Sequence, residues 1–214
     1  MNLPSLLITI AIAIALWQWA MLPRPRSRFY ATLGILIAAA LATEVYGGIT
    51  NRLIINNNLA YNLFGQLEAL LVLYLIGLLR PNWKWTLIAA GAFFIGAFIT
   101  NVILHETIYI LMLETVLLNS FVLSVLLMSA LWWLAQHSAV PLQKVPEFWI
   151  LLGFLVYFAG IVPTIGGYEF IFRNWNIGHK IFHIVQTLCI IRYLLTAFGC
   201  LLARKRNGWM IPTA

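Results

Sequence analysis

Apolar residues in this chain run in blocks too long for the helices of a water-soluble domain, separated by short polar clusters. The runs cover 3–22, 29–50, 61–79, 85–103, 108–135, 147–167 and 177–203. A helix needs about 20 mostly apolar residues to cross the bilayer core, and each run reaches roughly that length. None shows the alternation of a membrane β-strand. The pattern therefore predicts an all-α, polytopic membrane protein: a single transmembrane domain over 1–214 built as a seven-helix bundle. The breaks are Pro23 to Arg28, Asn51 to Asn58, Arg80-Pro81-Asn82, His105-Glu106-Thr107, Pro141 to Pro146 and Arg173-Asn174-Trp175-Asn176. The fifth run is the longest, which predicts a helix that tilts or protrudes.

Composition narrows the class further. The chain is 63% hydrophobic and 9% charged, where soluble domains carry about 25% charged residues. That excludes a cytosolic enzyme, a secreted disulfide scaffold, a disordered chain and a nucleic-acid partner. The net charge of +7 is positional. Arg24, Arg26, Arg28, Arg80, Lys84, Lys144 and Arg204 to Arg206 cluster at one set of helix ends, and only Arg52 and Arg173 at the other. Basic loops stay cytoplasmic, so the N-terminus is expected outside and the C-terminus inside, in the inner (cytoplasmic) membrane. Trp17, Trp19, Trp83, Trp85, Trp132, Trp133, Trp149 and Trp209 fall near the expected inner face, where indole rings favour the headgroup layer. The first run lacks the positive flank of a signal peptide and reads as a retained span. Cys189 and Cys200 share one run, about 16 Å apart on a helix, too far for a disulfide.

Polar side chains inside spans are costly and usually face the bundle interior. Glu44 and Asn51 share a face of the second span with Gly48. Tyr61 and Glu68 share a face of the third with Gly65, and Asn62 and Gln66 lie on the neighbouring face. Asn101 closes the fourth span and Glu114 stands in the fifth. His179, His183 and Gln186 follow helical spacing in the seventh. Glu44, Glu68, Glu114 and His183 count about six or seven residues from their outer helix ends, roughly 10 Å deep. These positions predict a polar cavity or network in the outer half, with ligand-binding candidates Glu44, Asn51, Tyr61, Asn62, Gln66, Glu68, Asn101, Glu114, His179, His183 and Gln186. Gly47, Gly48 and Gly65 read as close-packing positions. Arg192 stands apart in the inner half and is expected to reach backbone carbonyls or the inner interface.

His179 and His183 are the one pair with metal-ligand spacing, since imidazoles at i and i+4 can share one Zn²⁺. With seven spans, the pair resembles the alkaline ceramidase and adiponectin receptor superfamily, which implies zinc-dependent intramembrane hydrolysis. That family adds a third His, with Ser and Asp, from earlier helices. This chain contains no Asp, so a Glu would have to stand in. A second likeness covers more of the chain. Leu59-Ala60-Tyr61-Asn62-Leu63-Phe64 with Glu68, Pro146-Glu147-Phe148-Trp149-Ile150 with Gly153, Tyr157, Phe158 and Gly160, and Trp175-Asn176-Ile177 with His179 resemble a group of small seven-span integral membrane proteins of Bacteroidetes-type bacteria. That resemblance implies an inner-membrane location and no particular activity.

The leading expectation is an integral membrane module with an outward-facing polar pocket, sensor- or receptor-like, for a small molecule or lipid. A metal-dependent hydrolase built on His179, His183 and a Glu is one alternative, and a structural or assembly subunit another. Non-enzymatic action is favoured. Expected partners are membrane lipid, a small-molecule ligand and a membrane protein. No cofactor is required, and Zn²⁺ is the only metal the spacing suggests.

Overall fold

Among the described residues seven long helices carry the chain back and forth, and their short connections make successive helices antiparallel. The computed structural model describes residues 3–53, 55–167 and 175–205, with side chains omitted at Arg52 and at 175–182. The helices are α1 (Leu3–Ala20), α2 (Arg28–Arg52), α3 (Asn58–Leu79), α4 (Lys84–His105), α5 (Leu113–His137), α6 (Pro146–Gly166) and α7 (Trp175–Lys205). Single 3₁₀ turns at Pro81–Trp83 and Leu142–Lys144 lead into α4 and α6. No strand occurs among the described residues. All seven helices include a segment long and apolar enough to cross a membrane. The chain is a multi-pass, all-α integral membrane protein.

Six helices close into a ring. α1 packs on α2 and on α7, α2 on α3, α3 on α5, α5 on α6, and α6 on α7. α4 lies outside this ring, against α3 and α5, and is the least buried of the seven. α3 and α7 therefore stand on opposite sides of the ring.

The two halves of the ring differ. Connections 21–27, 80–83 and 138–145 lie at one end, called here the basic end. Below them Leu33, Leu36, Ile37, Leu75, Ile76, Leu127 and Ile150 are sealed from solvent and form a continuous apolar core. Arginine and tryptophan dress the rim of this end. The Arg26 guanidinium lies 4.0 Å from the Trp19 ring centroid and Arg80 lies 3.5 Å from that of Trp83, geometry that favours cation–π attraction. Tyr30 donates a 2.8 Å hydrogen bond to Glu147, tying the start of α2 to that of α6.

The opposite end is rich in asparagine, and one boundary there departs from the apolar pattern. The fifth run starts at 108, but α5 starts at Leu113. Residues 108–112 are apolar yet form a connection, because side chains from the α2–α3 corner capture their backbone. Asn62 donates to the carbonyls of Ile108 (2.9 Å) and Ile110 (2.7 Å) and accepts from the Met112 amide (3.1 Å). Asn56 and Asn58 both donate to the Tyr109 carbonyl, at 3.1 and 2.9 Å. Non-helical backbone at membrane depth is tolerated only when protein satisfies it, and three asparagines do that here.

α6 and α7 form the closest helix pair. Lipid tails are as apolar as leucine, so helices in a bilayer associate through close packing and polar contacts. A Cβ on Gly153 would lie 2.9 Å from the Arg192 carbonyl oxygen and 3.1 Å from Leu195 Cβ. A Cβ on Gly199 would lie 2.8 Å from the Pro146 carbonyl oxygen. Both neighbours include backbone, which cannot rotate away. Gly153→Ala and Gly199→Ala should therefore each destabilise the protein by about 1–3 kcal/mol through overpacking. Thermal unfolding in detergent checks this, and an unchanged Tm in both variants would contradict the glycine-dependent α6–α7 contact.

Candidate functional site

Above the apolar core the ring is hollow. A cavity of about 540 Å³ lies among its helices. Ile8 and Ile12 of α1 line it, with Ala40, Thr43 and Glu44 of α2, and Tyr61, Gly65, Gln66 and Glu68 of α3. Thr115, Val116, Asn119 and Ser120 of α5 continue the wall, followed by Tyr157, Phe158 and Ile161 of α6 and Gln186, Cys189, Arg192 and Tyr193 of α7. The wall reaches Asn51, Asn57 and Asn58 at the asparagine-rich end.

Its deepest polar feature is an ion pair. Arg192 Nη1 of α7 stands 2.7 Å from Glu68 Oε1 of α3, with 1% and 4% of the two residues exposed. The pair crosses the ring between helices that scarcely touch otherwise. Its atoms meet as opposed charges outside hydrogen-bond geometry. A second guanidinium nitrogen bonds the Tyr193 hydroxyl. The rings of Tyr157 and Tyr193 lie 4.1 and 4.3 Å from the guanidinium carbon. Arg192 is thus held by a carboxylate, a hydroxyl and two aromatic faces.

This corrects the reading of Arg192 as a residue reaching carbonyls or the inner interface. A charged side chain within a span is costly and pairs with an opposite charge or with backbone carbonyls, and here Glu68 supplies the opposite charge. The other glutamates also differ from expectation. Glu44 lies about 12 Å from the end of α2 and Glu68 about 15 Å into α3, while Glu114 stands in the first turn of α5. They share no common depth. The unanticipated loop at 108–112 moved Glu114 to the rim.

The remaining candidates separate into three groups. Glu44, Asn51, Tyr61, Asn62, Gln66, Glu68 and Gln186 line the cavity. Glu44 is half-buried and accepts a 2.8 Å hydrogen bond from Ser5 of α1. Tyr61 lays its ring over Gly47, where a Cβ would collide with it. Gln66 accepts from Asn119 at 3.2 Å. Asn62 uses both amide hydrogens on the 108–112 backbone and so acts mainly as a clamp. Asn101 and Glu114 lie elsewhere, in a shallower groove between α4 and α5. There Asn101 donates to Glu114 at 3.3 Å and to Thr115 at 3.0 Å, and His105 stands 3.7 Å from Glu114. His183 is exposed, contacts Gln186 at 3.2 Å, and does not line the cavity. The His179 side chain lies outside the described residues.

The glutamates proposed as third metal ligands each have a partner: Ser5 for Glu44, Arg192 for Glu68, Asn101 and His105 for Glu114. Among the described residues, no group of three or more His, Cys, Asp or Glu side chains converges as a metal site. Gly65 also differs from its reading as a packing position. A Cβ there would meet nothing within 4 Å, because its α-carbon faces the hollow. Arg192, Asn119 and Tyr157 are site residues that sequence patterning passed over. A lone arginine in mid-span is itself a signal, since it requires a carboxylate on another helix. Compared with protein-family models, curated proteins and solved structures, the chain matches none.

The ion pair gives a direct energetic test. Removing one partner of a buried pair leaves an uncompensated charge and costs about 3–5 kcal/mol, while replacing both with apolar groups is often neutral. Arg192→Met should therefore lower Tm sharply, and Glu68→Leu/Arg192→Met should recover most of the loss. A double variant no more stable than Arg192→Met would show that the pair does not act as a unit.

Proposed function

We propose that the protein is a receptor-like binding module of the inner membrane, taking a small amphiphilic molecule or lipid into the ring from the outer side. The observation that carries this reading is the cavity above the ion pair. It is walled by apolar side chains, with a few polar groups converging from opposite helices, the usual make-up of a small-molecule site. A ligand there would touch both α3 and α7, the helices that Glu68 and Arg192 join. Differential contact with two arrangements of that joint would let occupancy shift the helices, by no more than the difference in affinity for the two states. A membrane protein partner would read the movement.

Outward opening follows from the same asymmetry that supports the topology. The cavity wall reaches the asparagine-rich end, and the opposite end carries the arginines and lysines that favour the cytoplasm.

Two measurements test it. Gly65→Phe directs a ring into the hollow from a position where an added Cβ meets no atom within 4 Å, so the fold should survive. Screening metabolites and lipids by thermal shift should find compounds that stabilise the natural protein and not Gly65→Phe. Compounds that stabilise both equally act outside the cavity and would defeat the reading. For topology, a cysteine at exposed Ile55 should react with impermeant maleimide added to whole cells, and one at Lys144 should react only after lysis. The reverse pattern would invert the orientation.

A further inference from the structure

The cavity's charges do not balance. Its wall includes two carboxylates, Glu44 and Glu68, and one cation, Arg192, among the described residues. Arg192 is taken up by Glu68 at 2.7 Å. Among the described residues Glu44 has only the neutral Ser5 hydroxyl, on one of its two oxygens. The guanidinium offers little to a ligand. Its Nε and Nη1 are sealed from solvent, and its remaining nitrogen holds the Tyr193 hydroxyl. The second oxygens of Glu44 and Glu68 carry no hydrogen bond or ion pair among the described residues, and neither is sealed. Among the described residues, the lining thus presents carboxylate oxygens and withholds its one cation.

Aromatic faces reinforce the sign. Tyr61, Phe64 and Phe158 line the same space, and ring faces attract cations, most strongly when water is excluded. Resting on the cavity as a ligand site, we infer that its ligand is an organic monocation: an ammonium head set between Glu44 and the rings, with an apolar tail along Ile12, Val116 and Ile161. An anionic headgroup would meet the unpaired Glu44 carboxylate with no free guanidinium to offset it. A neutral alcohol would gain a hydrogen bond and leave the charge uncompensated.

The test uses three probes of equal chain length, decylammonium, decanol and decanoate, on the full chain in phosphatidylcholine nanodiscs. Each probe is titrated against the thermal transition. Decylammonium should bind about tenfold or more tightly than decanol, and decanoate most weakly. Glu44→Gln keeps an oxygen for the Ser5 hydroxyl while removing the charge, so its fold should persist. In that variant the preference for the ammonium should shrink to about threefold or less. Equal binding of decanol, stronger binding of decanoate, or an undiminished preference in Glu44→Gln would each overturn the cation assignment. If such binding were abolished by Gly65→Phe, the cavity would still be a ligand site, of another class. Probe binding that ignores Gly65→Phe would overturn both. Binding by none of the three rejects the cation and leaves the cavity to its own compound screen.

Discussion

A guanidinium in the middle of a membrane bundle must have a counter-charge, and much of this structure follows from where that counter-charge stands. Glu68 and Arg192 belong to α3 and α7, on opposite sides of a six-helix ring. Two charges held at 2.7 Å in a medium of low dielectric resist separation far more than they would in water. The pair therefore acts as a strut across the ring. Its neighbours are chosen to suit the cation: Tyr157 and Tyr193 face the guanidinium with their rings, and Gly153 lets the α7 backbone at Arg192 come against α6. A bulkier residue at 153 would displace the backbone that carries the arginine.

The strut also marks a boundary. Toward the basic end, buried leucine, isoleucine and phenylalanine fill the ring. Toward the asparagine-rich end the described residues leave a cavity between the helices. Polar side chains that would be intolerable against lipid are tolerable in that space, where partners or water can reach them. The hollow half and the polar half are thus the same half for one physical reason.

Much of this was legible in the chain. The seven spans and the all-helical class follow from the apolar runs, and Glu44, Tyr61, Gln66 and Glu68 do line a common space. What failed was pairing and local register. Arg192 was read by itself, whereas a charge in a span has meaning only with its partner on another helix, and periodicity within one helix does not reveal that partner. Residues 108–112 read as helix because they are apolar. Their conformation is set by Asn56, Asn58 and Asn62, some fifty positions earlier, which take their backbone hydrogen bonds. Glu114 and Asn101 then fall outside the ring because α5 starts one turn late and α4 stands outside it.

The asparagine clamp also sorts the polar residues by what they have left to offer. Asn56, Asn58 and Asn62 direct their amide hydrogens to the carbonyls of a loop, so they shape the mouth without adding charge to it. Asn119 and Gln66 hold each other across α5 and α3. Glu68 and Arg192 hold each other across the ring. After these pairings, Glu44 is the carboxylate in the wall with no charged partner among the described residues. Its solvation then depends on whatever enters the cavity. A bundle that uses so few charged side chains, and sets its buried arginine against Glu68, leaves Glu44 as the carboxylate of the wall whose charge no described residue offsets.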